Sequence, residues 1–344
     1  MTDEKDAPED TLRGRAEQSR WKLWLLLEAD RWLVSTLLLA AVLFSLTVLG
    51  YLYPGAEEAI RGADSVDTVY QALLTATITG VTLVLTLNQL VLSQELGSVG
   101  DQRDRMEGSM QFRQDVANSI DAPVAPSRPA QFLRALVESA DKTASSLLDE
   151  VSGSEEAVAD EVDEYARSVS ENARGVSEGL DGARFGRFDV ISSALNFNYS
   201  GKIFNARHIK EVHADTLSDE ANDEIEHLIQ VLQMFGLARE HFKTLYFQWD
   251  LIDLSRRILV ASVPALLVST AMVLFVNTET YGWSVYGVDT LVPFVSVAVT
   301  VALLPFVIIL AYVIRIATVT KRTLSIGPFV LRETEEVPEV DWDD

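Results

Sequence analysis

The chain has 344 residues, of which 48% are hydrophobic, and its 51 acidic and 28 basic side chains give a formal charge of −23. Lysine is scarce among the basic residues, and an acidic, lysine-poor surface is typical of proteins that stay hydrated at high salt, which indicates a halophilic host. Such a surface disfavours nucleic acid as a partner. The chain has no cysteine, which excludes disulfides, thiolate nucleophiles and cysteine-ligated metals.

Four apolar segments are each long enough to cross a bilayer, for which a helix needs roughly 20 apolar residues. They cover residues 33–53, 69–93, 258–277 and 291–314, and none contains a charged residue or histidine. Proton-coupled transporters, pumps and voltage sensors usually need ionisable groups at this depth. The segments therefore predict a multi-pass membrane protein that is either structural or a passive path.

The segments divide the chain into five parts. We expect an acidic disordered tail at 1–20, a transmembrane hairpin at 21–93, a helical domain at 94–257, a second hairpin at 258–315 and an acidic tail at 316–344. Basic residues flank the spans on one side, among them Arg31, Arg103, Arg257 and Arg315. By the positive-inside rule, both termini and the helical domain are cytoplasmic and the protein lies in the cell membrane.

The domain between the second and third spans reads as helical throughout. The second span is predicted to continue as one long helix to about residue 120, and 129–151 and 154–180 have apolar residues at helical spacing. Residues 217–252 carry a seam of nearly 3.5 residues per turn, which is typical of coiled coils and predicts a helical bundle within one chain or between chains. We also expect a homo-oligomer from such seams. The fold class is thus all-α: a four-helix transmembrane bundle with a long helical, coiled-coil-like cytoplasmic domain inserted between the second and third spans.

A polar row follows the second span at alternating steps of four and three, so that its members share one helical face: Thr75, Thr79, Thr82, Thr86, Gln89 and Ser93. Hydroxyl and amide groups in such a row line water-filled paths, because they replace part of an ion's hydration shell. The same residue types also hold helices together by hydrogen bonds. The row therefore predicts either a pore lining or a helix-packing face.

A basic, aromatic segment between residues 184 and 210 departs from the acidic background. It contains five basic residues against one acidic residue, Asp189: Arg184, Arg187, Lys202, Arg207 and Lys210. This composition predicts contact with an anionic ligand or a lipid headgroup. The alternative is that the aromatic residues fill a helical core while the basic residues pair with acidic helices.

No catalytic or cofactor motif is present. Glu224 and His227 form one E-x-x-H pair, but carboxylate-bridged metal bundles need two such pairs with further carboxylates. The chain has no phosphate-binding loop, no G-x-G-x-x-G and no G-x-S-x-G. We therefore expect a non-enzymatic protein with no metal and no cofactor.

The whole chain resembles uncharacterised polytopic membrane proteins of haloarchaea, most distinctively in the segment NQLVLSQELGSVGDQRDRM at 88–106. This resemblance implies a source and a cell location, and it carries no activity or site. Two functions are expected from the residues. One is an oligomeric, channel-like conduit for ions or small solutes, gated by the cytoplasmic domain; the other is a membrane-anchored sensor or scaffold that binds a cytoplasmic partner.

Overall fold

The structure, a computed structural model, describes Trp24 and residues 29–62, 64–151, 156–186, 188–285 and 288–322. The predicted tail at 1–20, Arg187 and residues beyond 322 lie outside this part of the chain. The rest divides into two compact units. We call Ala29–Leu96 with Gln248–Thr318 the apolar unit, and Gly97–Phe247 with the described residues from Val319 onward the helical body.

The first part of the apolar unit contains three helices. These are α1 (Arg31–Leu52), α2 (Ala56–Arg61) and α3 (Ser65–Glu95). The Asp30 side chain caps α1 by accepting a hydrogen bond from the Trp32 backbone N–H at 2.7 Å, as expected of an acidic N-cap. Gly55 enters α2 with φ of 89°, a left-handed conformation that glycine adopts without steric cost.

The described part of the helical body contains six helices, the last of which it shares with the apolar unit. They are α4 (Val99–Ser119), α5 (Pro129–Val151), α6 (Glu156–Leu180), α7 (Phe188–Leu195), α8 (Tyr199–Val212) and the long α9 (Asp219–Phe275), of which α4 through α8 lie wholly in the body. The predicted apolar faces of α5 and α6 are confirmed, since Leu133, Leu136, Val162 and Val169 are fully buried in one core.

The rest of the apolar unit begins with a short hairpin of strands β1 (Ser284–Val285) and β2 (Val288–Asp289). Helices α10 (Leu291–Ala302) and α11 (Leu304–Arg322) follow. Three described helices, α1, α3 and α9, are long and apolar enough to cross a membrane, and the pair α10 and α11 adds a fourth if it counts as one span. The described residues are therefore all-helical apart from the hairpin and its loops, and they contain three to four candidate membrane spans.

Two helices predicted to be continuous are broken. The second span does not run on to residue 120, because α3 ends at Glu95 and α4 begins at Val99. Ser98 and Asp101 form a reciprocal capping box there, with the Asp101 N–H donating to Ser98 Oγ at 3.3 Å and the Ser98 N–H to Asp101 Oδ2 at 3.0 Å. This pair satisfies orphan N–H groups and starts a new helix.

The fourth segment is also broken, with a bend of 52° between α10 and α11. Pro305 lies just after the break, and proline has no N–H to continue the helical hydrogen-bond ladder. Helix α11 then continues to Arg322, through residues that we expected in the acidic tail from 316.

The first half of the seam on α9 packs within the chain, which is one of the two arrangements that the spacing predicts. This half, Ile225, Leu228, Leu232 and Phe235, is fully buried in the core of the helical body, so it fits helices of the same chain. This half of the seam is therefore filled within one chain, and the homo-oligomer stays a prediction. The last member of the seam, Ile252, is 44% exposed.

Arg239 is a charged residue within the seam of α9, and it is buried against an aromatic ring. Its guanidinium carbon lies 4.5 Å from the ring centroid of Tyr199, a favourable cation–π arrangement. One turn earlier, Gly236 lets the same ring approach the backbone. A Cβ atom at Gly236 would lie 2.5 Å from Tyr199 Cε2.

We therefore expect Gly236→Ala to destabilise the helical body by about 1–3 kcal/mol, because the buried ring must shift. The matched control is Gly175→Ala on α6, where a Cβ meets nothing within 4 Å and the helix gains about 0.5–1 kcal/mol. Amide hydrogen exchange of α8 and α9 in the purified protein measures both effects. Equal protection in the two variants would contradict this account of the Tyr199 contact.

Candidate functional site

The polar row on α3 lies on the side of the helix that faces away from the rest of its unit. All six predicted residues are exposed: Thr75, Thr79, Thr82, Thr86, Gln89 and Ser93. The opposite side holds Tyr70, Thr77 and Val84, each at most 8% exposed. The row therefore does not pack against another described helix of its own chain, which removes one form of the helix-packing interpretation.

The hydroxyls of this row are satisfied by their own helix. Thr79 donates to the Thr75 carbonyl at 2.8 Å, Thr82 to the Ile78 carbonyl at 2.9 Å, and Thr86 to the Thr82 carbonyl at 2.9 Å. Thr75 and Ser93 make similar bonds to Gln71 and Leu90. Because each hydrogen is donated inward, what each hydroxyl offers outward is an oxygen acceptor.

The first half of the row borders an open, shallow surface that α3 alone lines. The small residues Ala72, Ala76 and Gly80 lie on this surface at steps of four. Rows of small residues at this spacing let helix backbones approach closely in membranes. The outer side of α3 thus combines a row of oxygen acceptors with a row of small residues.

A second polar group of the apolar unit is a charged cluster that the sequence reasoning missed. Arg31 and Arg315 are 4% and 6% exposed. Both donate to the carbonyl oxygen of Ala29, at 2.8 and 2.7 Å, and Arg31 also donates to that of Ala311 at 2.9 Å. We had treated these arginines only as flanking charges that set the orientation.

Helix α9 supplies the acidic side of this cluster through two carboxylates. Asp250 interacts electrostatically with Arg31 and Arg315. Asp253 accepts from Tyr312 at 2.7 Å and from Arg257 at 2.6 Å. The cluster therefore joins α1, α9 and α11. The signal in the sequence was the i, i+3, i+7 placement of Asp250, Asp253 and Arg257 just before the third apolar segment.

A third polar group connects the loops of the apolar unit. Arg61, the last residue of α2, donates to the carbonyl oxygens of Thr278 and Tyr281 and pairs with Asp289 at 2.5 Å. The pKa of Asp289 lies below its usual range, first because it accepts a hydrogen bond from the Leu291 backbone N–H, and also because Arg61 is close. The bonds of Arg61 therefore connect the end of α2 to the segment between α9 and α10.

The basic segment is dispersed in the helical body. Lys202 is 4% exposed and its Nζ lies 5.9 Å from the Phe197 ring centroid. Lys210 pairs with Glu226 at 2.7 Å, while Arg184 and Arg207 are exposed. Two of the four described members therefore follow the alternative in which aromatic residues fill the core and basic residues find local partners.

Glu224 and His227 line one polar pocket of the helical body, with a volume of 350 Å³, together with Ser119, Thr143 and Lys142. His227 Nε2 lies 3.0 Å from the Ser119 carbonyl oxygen, to which it donates. This imidazole therefore provides a hydrogen-bond partner for the last carbonyl group of α4. Among the described residues, no group of three or more histidines, aspartates or glutamates is placed to hold a metal ion.

The charged cluster yields a stability prediction. Asp250→Asn keeps the shape of the side chain but removes the charge that faces two buried guanidiniums. We expect the melting temperature of the purified protein in detergent to fall by about 5–10 °C, or ~3 kcal/mol.

The control for this measurement is Asp104→Asn, the same chemical change on the exposed part of α4, which is expected to alter stability by less than about 0.5 kcal/mol. A melting temperature that is unchanged in Asp250→Asn would show that the buried arginines do not depend on this carboxylate.

Comparison with curated proteins and with solved structures found no significant match. A family model matches the chain over its whole length, residues 1–344, and its description is "Family of unknown function (DUF7972)". The family carries no activity that bears on the polar groups described above. The chain belongs to this family, DUF7972.

Proposed function

We propose that the protein is a non-enzymatic integral protein of the cell membrane, and that several copies assemble into a channel-like conduit for ions or small solutes. The observation that carries this proposal is the exposed acceptor row on α3. Six polar residues over 19 positions, from Thr75 to Ser93, face away from their own unit along a helix long enough to cross a bilayer. A single copy leaves this row facing outward.

Assembly gives the row a polar environment. If copies pack through the small residues Ala72, Ala76 and Gly80, the neighbouring threonines turn toward the axis that the copies share. Hydroxyl oxygens along such an axis replace part of the hydration shell of a passing solute without binding it tightly. Passive movement also agrees with the absence of ionisable residues from the four apolar segments.

Orientation and gating complete the proposal. The basic residues beside the spans favour cytoplasmic termini and a cytoplasmic helical body. Helix α9 contributes residues to both units without a break, so a ligand or partner that moves the body acts on a helix that also belongs to the membrane part. The helical body is then the gate.

Ion flux into proteoliposomes tests the conduit. The double variant Thr82→Leu, Thr86→Leu removes two acceptors from the middle of the row, and we expect it to reduce flux at least about tenfold, because a passing ion then meets apolar side chains. The double variant Thr82→Ser, Thr86→Ser keeps the oxygens and is expected to retain flux.

A second control, Ile78→Leu, changes an exposed apolar residue of the same helix and is expected to leave flux unchanged. Wild-type flux equal to that of empty liposomes under several ionic conditions would refute the conduit. In that case the acceptor row faces lipid or another helix, where its satisfied hydroxyls are also tolerated.

The second candidate function is a membrane-anchored sensor or scaffold. The observation in its favour is an exposed apolar row on α4, where Val99, Met106 and Met110 are 83%, 69% and 60% exposed. Large exposed apolar side chains on one helix are typical of docking sites for a partner. This function predicts a cytoplasmic partner whose binding is lost in Met106→Glu, Met110→Glu, with no flux in liposomes.

A further inference from the structure

The polar pocket of the helical body is bordered by charged side chains of both signs. Lys142 of α5, Glu224 of α9 and Asp121, just after α4, all line this cavity of 350 Å³. Within the part of the chain that the structure describes, none of the three forms an ion pair or a side-chain hydrogen bond. The fourth charged residue of the lining, Glu138, is already paired with Arg134 at 2.7 Å. One positive and two negative side chains around the pocket thus lack a described partner.

Short contacts between three helices fix the walls of the pocket. His227 Nε2 of α9 donates to the Ser119 carbonyl at the end of α4 at 3.0 Å, and its Nδ1 lies 3.5 Å from Thr143 Oγ1 of α5. Ser139 of α5 donates to the same Ser119 carbonyl at 3.5 Å. All of these residues belong to one compact unit, so the cavity is part of the folded helical body of a single copy.

The chain turns at Asp121, beside the wall that the end of α4 provides. Asp121 has a φ of 51°, and the Ala122 N–H donates back to the Ala117 carbonyl at 2.9 Å. Aspartate is one of the few residues with a side chain that adopts this left-handed conformation readily. Asp121 is exposed, whereas Thr143 is only 4% exposed. The pocket therefore extends from a solvated rim to a buried floor.

Hydroxyl groups occupy one wall of the pocket beside the charged side chains. Ser139, Thr143 and Ser146 follow α5 at steps of four and three, so they share one helical face. Such a wall can donate and accept hydrogen bonds, and it favours a polar occupant. The volume of 350 Å³ lies near the lower end of the range for small-molecule pockets, about 300–1,000 Å³, which fits one small molecule.

We infer that this pocket binds a basic amino acid such as L-lysine or L-ornithine. The carboxylate of the ligand pairs with Lys142, and its two ammonium groups pair with Asp121 and Glu224. The three protein side chains carry a net charge of −1 and the ligand carries the opposite charge, so every charge in the occupied pocket has a partner. A dicarboxylate adds negative charge to a negative pocket, and no described group of three acidic residues or histidines is placed to hold a metal ion.

This site goes beyond the conduit, because it depends on neither assembly nor ion flux. A ligand in the pocket contacts the turn after α4, α5 and α9 at the same time. Since it binds the folded body and not the unfolded chain, it is expected to stabilise the protein.

Equilibrium dialysis of ¹⁴C-labelled L-lysine against the full-length protein in detergent, at constant ionic strength, tests the inference. We expect saturable binding of about one molecule per chain, weakened at least about tenfold by Lys142→Gln and by Glu224→Gln, because each variant removes one charged partner. The matched controls are Lys210→Gln and Glu220→Gln, which remove the same charges outside the pocket and are expected to bind as the wild type does.

Unlabelled analogues test the two ends of the ligand separately. Cadaverine lacks the carboxylate and L-norleucine lacks the side-chain ammonium group, and we expect each to compete at least about tenfold more weakly than L-lysine. Competition by either analogue that equals that of L-lysine overturns the assignment. Absence of saturable binding to the wild type, or unchanged binding in both pocket variants, overturns it as well.

The melting temperature gives a second readout. L-lysine is expected to raise the melting temperature of the wild type and not that of Lys142→Gln, and an equal rise in this variant contradicts the inference. Lys142 is exposed, so its replacement is expected to leave the fold intact. Failure of the conduit changes neither readout, because both are measured without a membrane gradient.

Discussion

Hydrogen-bond satisfaction in an apolar environment is the constraint on which the structure depends. A buried hydroxyl without a partner costs about 1–3 kcal/mol, and no water is available at the centre of a bilayer to provide one. Helix α3 meets this requirement in two ways. On its outer side each threonine donates to its own backbone, whereas on its inner side Thr77 does not. The outer row is thus free to meet lipid, water or another copy, whereas the buried Thr77 hydroxyl has no hydrogen-bond partner within the described chain.

Some parts of the fold could be predicted from the sequence, and two helix breaks could not. The apolar segments and the buried faces of α5 and α6 follow directly from periodicity, because burial of a single face is a property of one helix. The break at Ser98 was missed although the capping pair Ser98 and Asp101 was visible, because a continuous apolar spacing on both sides was given more weight. The break at Leu303 was missed for a related reason, since Pro305 is surrounded by apolar residues that read as one span.

The sequence predicts that a helix face is buried, but it does not show which helix covers that face. The seam of α9 fits a partner helix, and the periodicity of Leu228, Leu232 and Phe235 does not distinguish helices of the same chain from those of another copy. The structure places this part of the seam in the core of the helical body. The acceptor row is the opposite case, because its members were identified in the sequence, but only the burial of Tyr70 and Val84 on the other side of α3 shows that the row faces outward.

The charges of the apolar unit are distributed in a way that singles out α3. Arg31, Asp250, Asp253 and Arg315 bind α1, α9 and α11 to one another, and Arg61 ties the loop after α1 to the loop before α10. No ion pair among the described residues attaches α3 to another helix. This helix is held by the apolar contacts of Tyr70 and Val84 and by one hydrogen bond from the Tyr70 hydroxyl to the Val295 carbonyl of α10 at 3.4 Å. Apolar contacts are non-directional and tolerate small shifts of one helix past another. The helix that carries the acceptor row is thus joined to the rest of the unit without an ion pair among the described residues, and this agrees with the proposal that α3 lines a conduit.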